Sequence, residues 1–335
     1  MSQPLILVAG PCAAETREQM LTIASELLSL QPQLQQAVEQ PLQFVFRAGI
    51  WKPRTSPHSF QGVGDTGLEW LQAVQRKGLS VATEAGTAIQ AQKAVEAGVD
   101  IVWIGSRTCA NPLQVQEIVS ALRDNGGTLK AVAVKNPMHE DVGLWQGNIE
   151  RMMSLGVPVW AVHRGCNHRS CWRMAYELRR SYPDVPLLID PSHMSGMAQR
   201  VSVLSRKAAE LGYDGWMIET HNMPEKAMSD AQQQILPREL CRCIVQPKEP
   251  DTLSWLRAEI DEVDEELWQT VLKRMEVSRR IGEYKRQTGM EVVQPTRFDF
   301  ILRQRLEWAK EKGLSDNTIN VMMNALHEES IRQQQ

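Results

Sequence analysis

Eight short, nearly continuous apolar runs recur between residues 5 and 220: LILVAG from Leu5, FVFRAG from Phe44, LSVATEA from Leu79, IVWIGS from Ile101, LKAVAVK from Leu129, VPVWAVHR from Val157, VPLLID from Val185 and GWMIET from Gly215. Runs without apolar/polar alternation suit strands buried on both faces, as in a parallel sheet covered by helices. Amphipathic stretches such as Gly67 to Gln75 and Val201 to Leu211 lie between them and supply the helices. Eight strand–helix units in about 240 residues fit a (β/α)8 TIM barrel of the α/β class. The same alternation also allows an open, doubly wound sheet.

The pattern changes after residue 251. Leu253, Leu256, Ile260, Val263, Leu267, Val271 and Ile281 recur at spacings of three, four or their multiples, predicting one helix to about Arg286. Such a helix is roughly 50 Å long. Two more helical stretches follow, about 297 to 312 and 315 to 333. Three helices of this kind cannot enclose a core alone, which predicts an all-α domain that dimerises. Punctuation agrees with the division, because 18 of the 21 glycines and 16 of the 17 prolines precede residue 252. We therefore expect a barrel over residues 1–245, a polar linker with two prolines over 246–251, and a helical domain over 252–335.

Composition narrows the function. The 335 residues carry 37 basic and 40 acidic side chains, a net charge of -3, so no basic surplus draws the chain to nucleic acid or an anionic membrane. No apolar segment of eighteen residues and no signal-like amino terminus occur, which predicts a cytoplasmic protein. Cys12, Cys109, Cys166, Cys171, Cys241 and Cys243 then read as reduced thiols.

In the barrel reading, one reactive residue follows each strand: Cys12, Arg47, Glu84, Arg107, Lys135, Arg164, His193 and Glu219. Barrel enzymes hold their active sites at these strand ends. In a closed barrel strand 8 abuts strand 1, so Cys12 would meet His193, Glu219 and Asp230, a sulfur, nitrogen and oxygen set suited to a divalent transition metal. No local ligand motif such as CxxC supports that grouping. Arg47, Lys52, Arg54, Arg107, Lys135 and Arg164 gather positive charge for a small polyanion bearing phosphate and carboxylate groups. Gly62-Val-Gly-Asp-Thr-Gly67 matches GxGxxG, but it follows a Pro/Ser-rich loop rather than a strand and is rejected as a dinucleotide site.

Gly10-Pro-Cys12, Arg47-Ala-Gly-Ile-Trp-Lys-Pro-Arg-Thr-Ser-Pro57, Ile104-Gly-Ser-Arg107, Lys135-Asn-Pro, His163-Arg-Gly165, Asp190-Pro-Ser-His193, Ile218-Glu-Thr-His221 and Ser229-Asp230 closely resemble the 3-deoxy-D-arabino-heptulosonate 7-phosphate (DAHP) synthases of the short β-type. The resemblance implies a metal, manganese or else iron, cobalt or zinc, on Cys12, His193, Glu219 and Asp230. It also implies phosphoenolpyruvate on Arg107, Lys135 and Arg164, with Arg47 near its carboxylate and Glu84 positioning a water. Lys52, Arg54 and Thr55 would hold erythrose 4-phosphate, with Lys52 assisting the aldehyde oxygen. The related 3-deoxy-octulosonate 8-phosphate synthases share the chemistry, but Lys52-Pro-Arg-Thr55 resembles the erythrose 4-phosphate version of the loop. Ala13 stands where the family often has serine.

Residues 253 to 334 resemble the all-helical chorismate mutases through Leu256-Arg-Ala-Glu-Ile260, Val263-Asp264, Arg274 with Lys285, Pro295-Thr-Arg297 and the segment from Glu328 to Gln334. Carried over by position, Arg257, Arg274, Lys285, Arg297, Ser330 and Gln334 would surround chorismate, with Lys285 and Gln334 at the ether oxygen. Arg257 lies about 25 Å along the helix from Arg274, too far for one small ligand, and would serve a second copy in a homodimer or higher homo-oligomer. Phe298 occupies a position where that family commonly has a carboxylate. The expectation is a bifunctional enzyme of aromatic amino-acid synthesis, with feedback on the barrel by prephenate or chorismate. The alternatives are a mutase domain that only binds and regulates, or an octulosonate synthase.

Overall fold

The computed structural model describes residues 3–53, 58–125 and 129–334. The chain divides into two compact units, Met1–Glu259 and Ile260–Gln335. In the first, β1 (Leu5–Gly10), β2 (Leu42–Arg47), β3 (Ser80–Glu84), β4 (Ile101–Ile104), β5 (Ala131–Lys135), β6 (Val159–His163), β7 (Leu187–Ile189) and β8 (Gly215–Glu219) form a closed parallel barrel in sequence order. All eight apolar runs are strands, and the open-sheet alternative falls with the pairing of β1 and β8. That pairing runs from Ile6 opposite Gly215 to Gly10 opposite Glu219.

Helices α1 (Arg17–Gln36), α2 (Thr66–Gln75), α3 (Ala88–Glu96), α4 (Ser106–Cys109), α5 (Pro112–Asn125), α6 (Val142–Met153), α7 (Trp172–Ser181), α8 (Pro191–Ser195) and α9 (Ala198–Glu210) connect the strands or follow them. Several begin on side-chain caps. Thr16 caps Gln19 N, Thr87 caps Gln90 N and Asp141 caps Leu144 N. Each such cap contributes about 1 kcal/mol by satisfying an orphan backbone donor.

Strand geometry explains the position of the reactive side chains. Alternate residues point to one face. A buried cluster of Ile6, Val8, Val45, Ala82, Ile101, Trp103, Ala131, Ala133, Trp160, Val162, Leu188 and Met217 comes from one phase of the strands. Advancing two residues in that phase gives Arg47, Glu84, Lys135, Arg164 and Glu219. The apolar plug of the barrel thus ends in ionisable groups at the carboxyl ends of the strands. Close approach at the rim requires glycine at position 10, which has φ +148° and where a Cβ would lie 2.1 Å from Arg47 O.

The opposite phase faces the helices. His163, fully buried, bonds through Nδ1 to Tyr213 Oη at 2.7 Å and stacks with Trp145 and Tyr213. Trp255 stacks on Tyr213 with ring centroids 5.6 Å apart and is 3% exposed. It belongs to α10 (Thr252–Thr288), so the first turns of that helix join the core of the first unit.

In the second unit α11 (Pro295–Lys312) packs against α12 (Asp316–Gln334), and the rest of α10 reaches α12 through Arg274 and Arg286; these are the three expected helices. Gly313, in a left-handed conformation, ends α11. Among the described residues no helix is long and apolar enough to cross a membrane.

Candidate active sites

The carboxyl ends of the barrel strands enclose a cavity of about 210 Å³ whose lining includes Arg47, Lys52, Glu84, Arg107, Lys135, Arg164, His193 and Asp230. Closure of β8 on β1 brings together residues more than two hundred positions apart. Cys12 Sγ lies 2.9 Å from Asp230 Oδ2, 3.0 Å from Ser229 Oγ and 3.2 Å from Lys52 Nζ. Donor atoms of Cys12, His193 and Asp230 all lie within 4.8 Å of one another. Glu219 borders this group, 3.6 Å from His193 Nε2. Its oxygens are engaged by Arg47 at 3.0 Å and by Gln233 Nε2 at 2.8 Å. Arg54 and Thr55 fall outside the described residues.

Burial and charge oppose each other throughout the cavity. Burial, reinforced by Glu219, pushes the Cys12 thiol up to about 12 against the pull of Lys52. Burial also disfavours the charged form of Lys52, but Cys12, Glu84 and Glu219 overcome it and hold the ammonium pKa above its ordinary value. Lys135 is shifted down, chiefly by burial, despite its partner Asp190. Burial raises Asp190, yet His193 and Lys135 overcome that effect and hold the carboxyl well below the usual range.

Asp190 is a residue that the sequence reading passed over, although it opens the motif Asp190-Pro-Ser-His193. It is fully buried, with Oδ2 2.5 Å from Lys135 Nζ and 2.9 Å from His193 Nδ1. An aspartate that accepts from one ring nitrogen fixes the imidazole and leaves Nε2 for a ligand. Asn136 was passed over too. Its Oδ1 accepts from Arg164 N at 2.7 Å and its Nδ2 donates to Gly165 O at 3.0 Å, tying the end of β5 to the segment that presents Arg164. Asp190 falls in the inward phase two residues beyond Leu188, whereas Asn136 is out of phase and only its partners reveal it.

Arg47 is 1% exposed, bonds Glu219 through Nη2 and lies with its guanidinium 4.9 Å from the Trp103 ring centroid. Its Nε and Nη1 are buried without a hydrogen-bond partner among the described residues. Orphaned guanidinium donors are costly. An anion received in the cavity they border would satisfy them.

The second unit carries the other predicted set. Arg274 Nη1 on α10 donates to Ser330 Oγ and, at 3.0 Å, to Leu326 O on α12. Arg286 Nη1 reaches Gln334 O at 2.6 Å, and Lys285 Nζ bonds Val292 O at 2.7 Å. Lys285, Ser330 and Gln334 are buried, and Gln334 Oε1 has no partner. Arg297 is exposed, with its guanidinium 5.7 Å from the Phe300 ring centroid. Phe298 stacks on His327 with centroids 4.0 Å apart. Arg257 is exposed and precedes the packing boundary, within the first unit.

Residues 1–253 match the family model of the DAHP synthetase I family, and residues 256–335 match that of chorismate mutase type II. The chain belongs to the DAHP synthetase I family. A phospho-2-dehydro-3-deoxyheptonate aldolase of Thermotoga maritima is 33% identical over 237 residues, which is 68% of this chain and 64% of that relative's length. A 2-dehydro-3-deoxyphosphooctonate aldolase of Wolinella succinogenes is 31% identical over 265 residues, covering 70% of this chain and 95% of the relative. The crystal structure of the Thermotoga maritima DAHP synthase superposes with a TM-score of 0.61 at 30% identity, covering 72% of this chain and 67% of that one. Membership of the DAHP synthetase I family thus spans the whole barrel, and the mutase match spans the helices that follow.

Proposed function

We propose that the barrel condenses phosphoenolpyruvate with erythrose 4-phosphate to DAHP and phosphate, and that the helical unit rearranges chorismate to prephenate. The observation that carries the first half is Arg47, a buried cation with two unsatisfied donors beside the Cys12, His193 and Asp230 cluster. Arg107, Lys135 and Arg164 hold the phosphate and carboxylate of phosphoenolpyruvate, with Arg47 nearest the carboxylate. Lys52, kept charged by its neighbours, donates to the aldehyde oxygen as the enol carbon attacks. Glu84 orients the water that adds to the resulting cationic carbon, and phosphate leaves by C–O cleavage. Lys52, Arg54 and Thr55 hold the aldose phosphate.

Cys12, His193 and Asp230, with Glu219 as fourth ligand, fit a divalent transition ion, manganese first and iron, cobalt or zinc as alternatives. Their mixed sulfur, nitrogen and oxygen donors converge, and Asp190 orients the imidazole from behind. An ion bound there supplies Lewis-acid polarisation of the aldehyde.

In the helical unit, Arg257, Arg274 and Arg297 pair with the two carboxylates of chorismate, and Ser330 adds a hydroxyl. Lys285 and Gln334 donate to the ether oxygen, favouring the compact rearrangement geometry without a nucleophile. Ile260, Val263, Trp268, Leu272 and Val321, each between 58% and 62% exposed, suit a homodimer or higher homo-oligomer that covers them and brings Arg257 of one copy to the site of another.

Paired assays test both halves. Full-length protein should form DAHP from erythrose 4-phosphate in preference to arabinose 5-phosphate, lose that activity on chelation, regain it with manganese, and keep forming prephenate throughout. Condensation that survives chelation counts against the metal site. Preference for arabinose 5-phosphate would establish the octulosonate reading, which the Wolinella relative keeps open. Phe298 favours a second reading of the helical unit as a sensor. Prephenate that inhibits the barrel while chorismate is left unconverted would establish it.

A further inference from the structure

The ammonium of Lys52 sits 3.0 Å from Cys12 O and 3.2 Å from Cys12 Sγ. The segment that carries it, residues 48–53, has no helix or strand beyond one isolated bridge between Ala13 and Gly49. What fixes this segment is the glycine motif from Gly62 to Gly67. Gly64 N donates to Ile50 O at 2.9 Å, and Lys52 N donates to Gln61 O at 3.0 Å. Gly62 has φ +90°, and a Cβ there would lie 2.2 Å from Ile50 O. A Cβ on Gly67 would lie 2.4 Å from Ile50 Cγ2. The glycines are therefore spaced to let one backbone strap lie directly on another.

Asp65, inside the same motif, completes the strap. Its Oδ1 accepts from Trp51 Nε1 at 3.0 Å, and its Oδ2 pairs with Lys93 of α3. Asp65 also immediately precedes α2, where an aspartate ordinarily accepts from an N–H of the first turn. It makes no such bond. The carboxylate is diverted from its own helix to the indole beside Lys52, and the bonds from Lys93 and Trp51 hold it below its ordinary pKa.

We propose that Asp65 is a positioning residue for Lys52: anchored by Lys93, its carboxylate holds the Trp51 indole and thereby sets the approach of the neighbouring ammonium to the aldehyde end of the cavity. This rests on the reading of the barrel as a site that condenses phosphoenolpyruvate with an aldose phosphate. Lys135 ends β5 and Arg164 directly follows β6, both away from the Lys52 segment, so a displaced Lys52 should affect the aldose phosphate and spare phosphoenolpyruvate.

Asp65→Ser separates position from stability, because serine also caps helices well but reaches neither Trp51 nor Lys93. In the full-length protein, kcat/KM for erythrose 4-phosphate should fall about 10- to 100-fold, as expected for a misplaced catalytic group. KM for phosphoenolpyruvate and the barrel melting temperature should not change. Asp65→Asn keeps an acceptor for Trp51 and should lose less. Hydrogen exchange supplies a readout independent of turnover, since amides of residues 49–52 should exchange faster in Asp65→Ser while the rest of the barrel is unaltered. Unchanged exchange and kinetics, or equal losses for both substrates with a lowered melting temperature, overturn the proposal. Faster exchange confined to 49–52 in a protein whose wild type forms no DAHP supports the positioning role and overturns the condensation reading.

Discussion

Asp190 and His163 lie at neighbouring strand ends and solve the problem of a buried ionisable group in opposite ways. Asp190 stays charged because Lys135 and His193 compensate it. Replacing it with asparagine leaves Lys135 without its counter-charge and His193 without its orienting acceptor. We expect Asp190→Asn to weaken metal affinity about 10- to 100-fold, by analogy with other residues that orient metal ligands, as measured by competition with a chelating dye. For His163 the compensation from the Cys171 and Ser170 backbone and from Asp190 is too weak. Burial, helped by Arg164, pushes its pKa down to about 3, against about 6.5 in the unfolded chain. The unfolded chain therefore binds the extra proton, so stability is full above pH 6.5 and is lost as pH falls toward 3, at up to about 1.4 kcal/mol per pH unit. His163→Gln should flatten this acid limb, and denaturant midpoints at pH 5 and pH 7.5 would show it. The strand phase already places Arg47, Lys135, Arg164 and Glu219 on the inner face. It also puts Asp190, two residues beyond Leu188, in the inward phase and turns His163 toward the helices, but the roles of both depend on partners from other elements.

At the level of elements, the strands were the most legible feature, because a strand covered on both sides must be apolar at every position. Short α4 and α8 escaped notice, since four or five residues are too few to show a period. In the helical unit the apolar spacing located the long α10 but not its contacts. Gly282 is the informative position: a Cβ there would lie 2.7 Å from both Cα and O of Gln334, so α10 and α12 touch backbone to backbone. Gly282→Ala should push α12 away and displace the Gln334 amide from the proposed chorismate site. Since loss of one well-placed donor costs about 10²-fold or more, mutase kcat should fall by a comparable factor while DAHP formation is unaffected. Equal effects on both activities would point instead to general unfolding.

Across the whole molecule, the sequence change near Gln246 to Asp251 and the packing boundary at Glu259 do not coincide. The intervening turns carry Trp255 and Ala258 into the barrel core, an attachment that amphipathic spacing cannot distinguish from a mutase helix face. A barrel ended at Pro250 would leave Tyr176 and Tyr213 without the indole that covers them. Removing a buried tryptophan costs about 3–5 kcal/mol, so a chain ended at Glu259 should melt several degrees above one ended at Pro250. Matching melting curves for the two would show that Trp255 adds nothing to the barrel.

The β1–β8 seam also sets an order of events during synthesis. Cys12 and Asp230 touch although 218 residues separate them. At roughly 5–20 residues per second, the thiol leaves the ribosome on the order of 10–40 s before the carboxylate that it is to touch. Throughout that interval Cys12 has neither its barrel wall nor its folded partners, and an oxidant meets it as an ordinary solvent-exposed cysteine. Oxidative damage to this position should therefore be written into the chain at translation, and pulse-labelled nascent protein should be far more sensitive to peroxide there than the finished barrel.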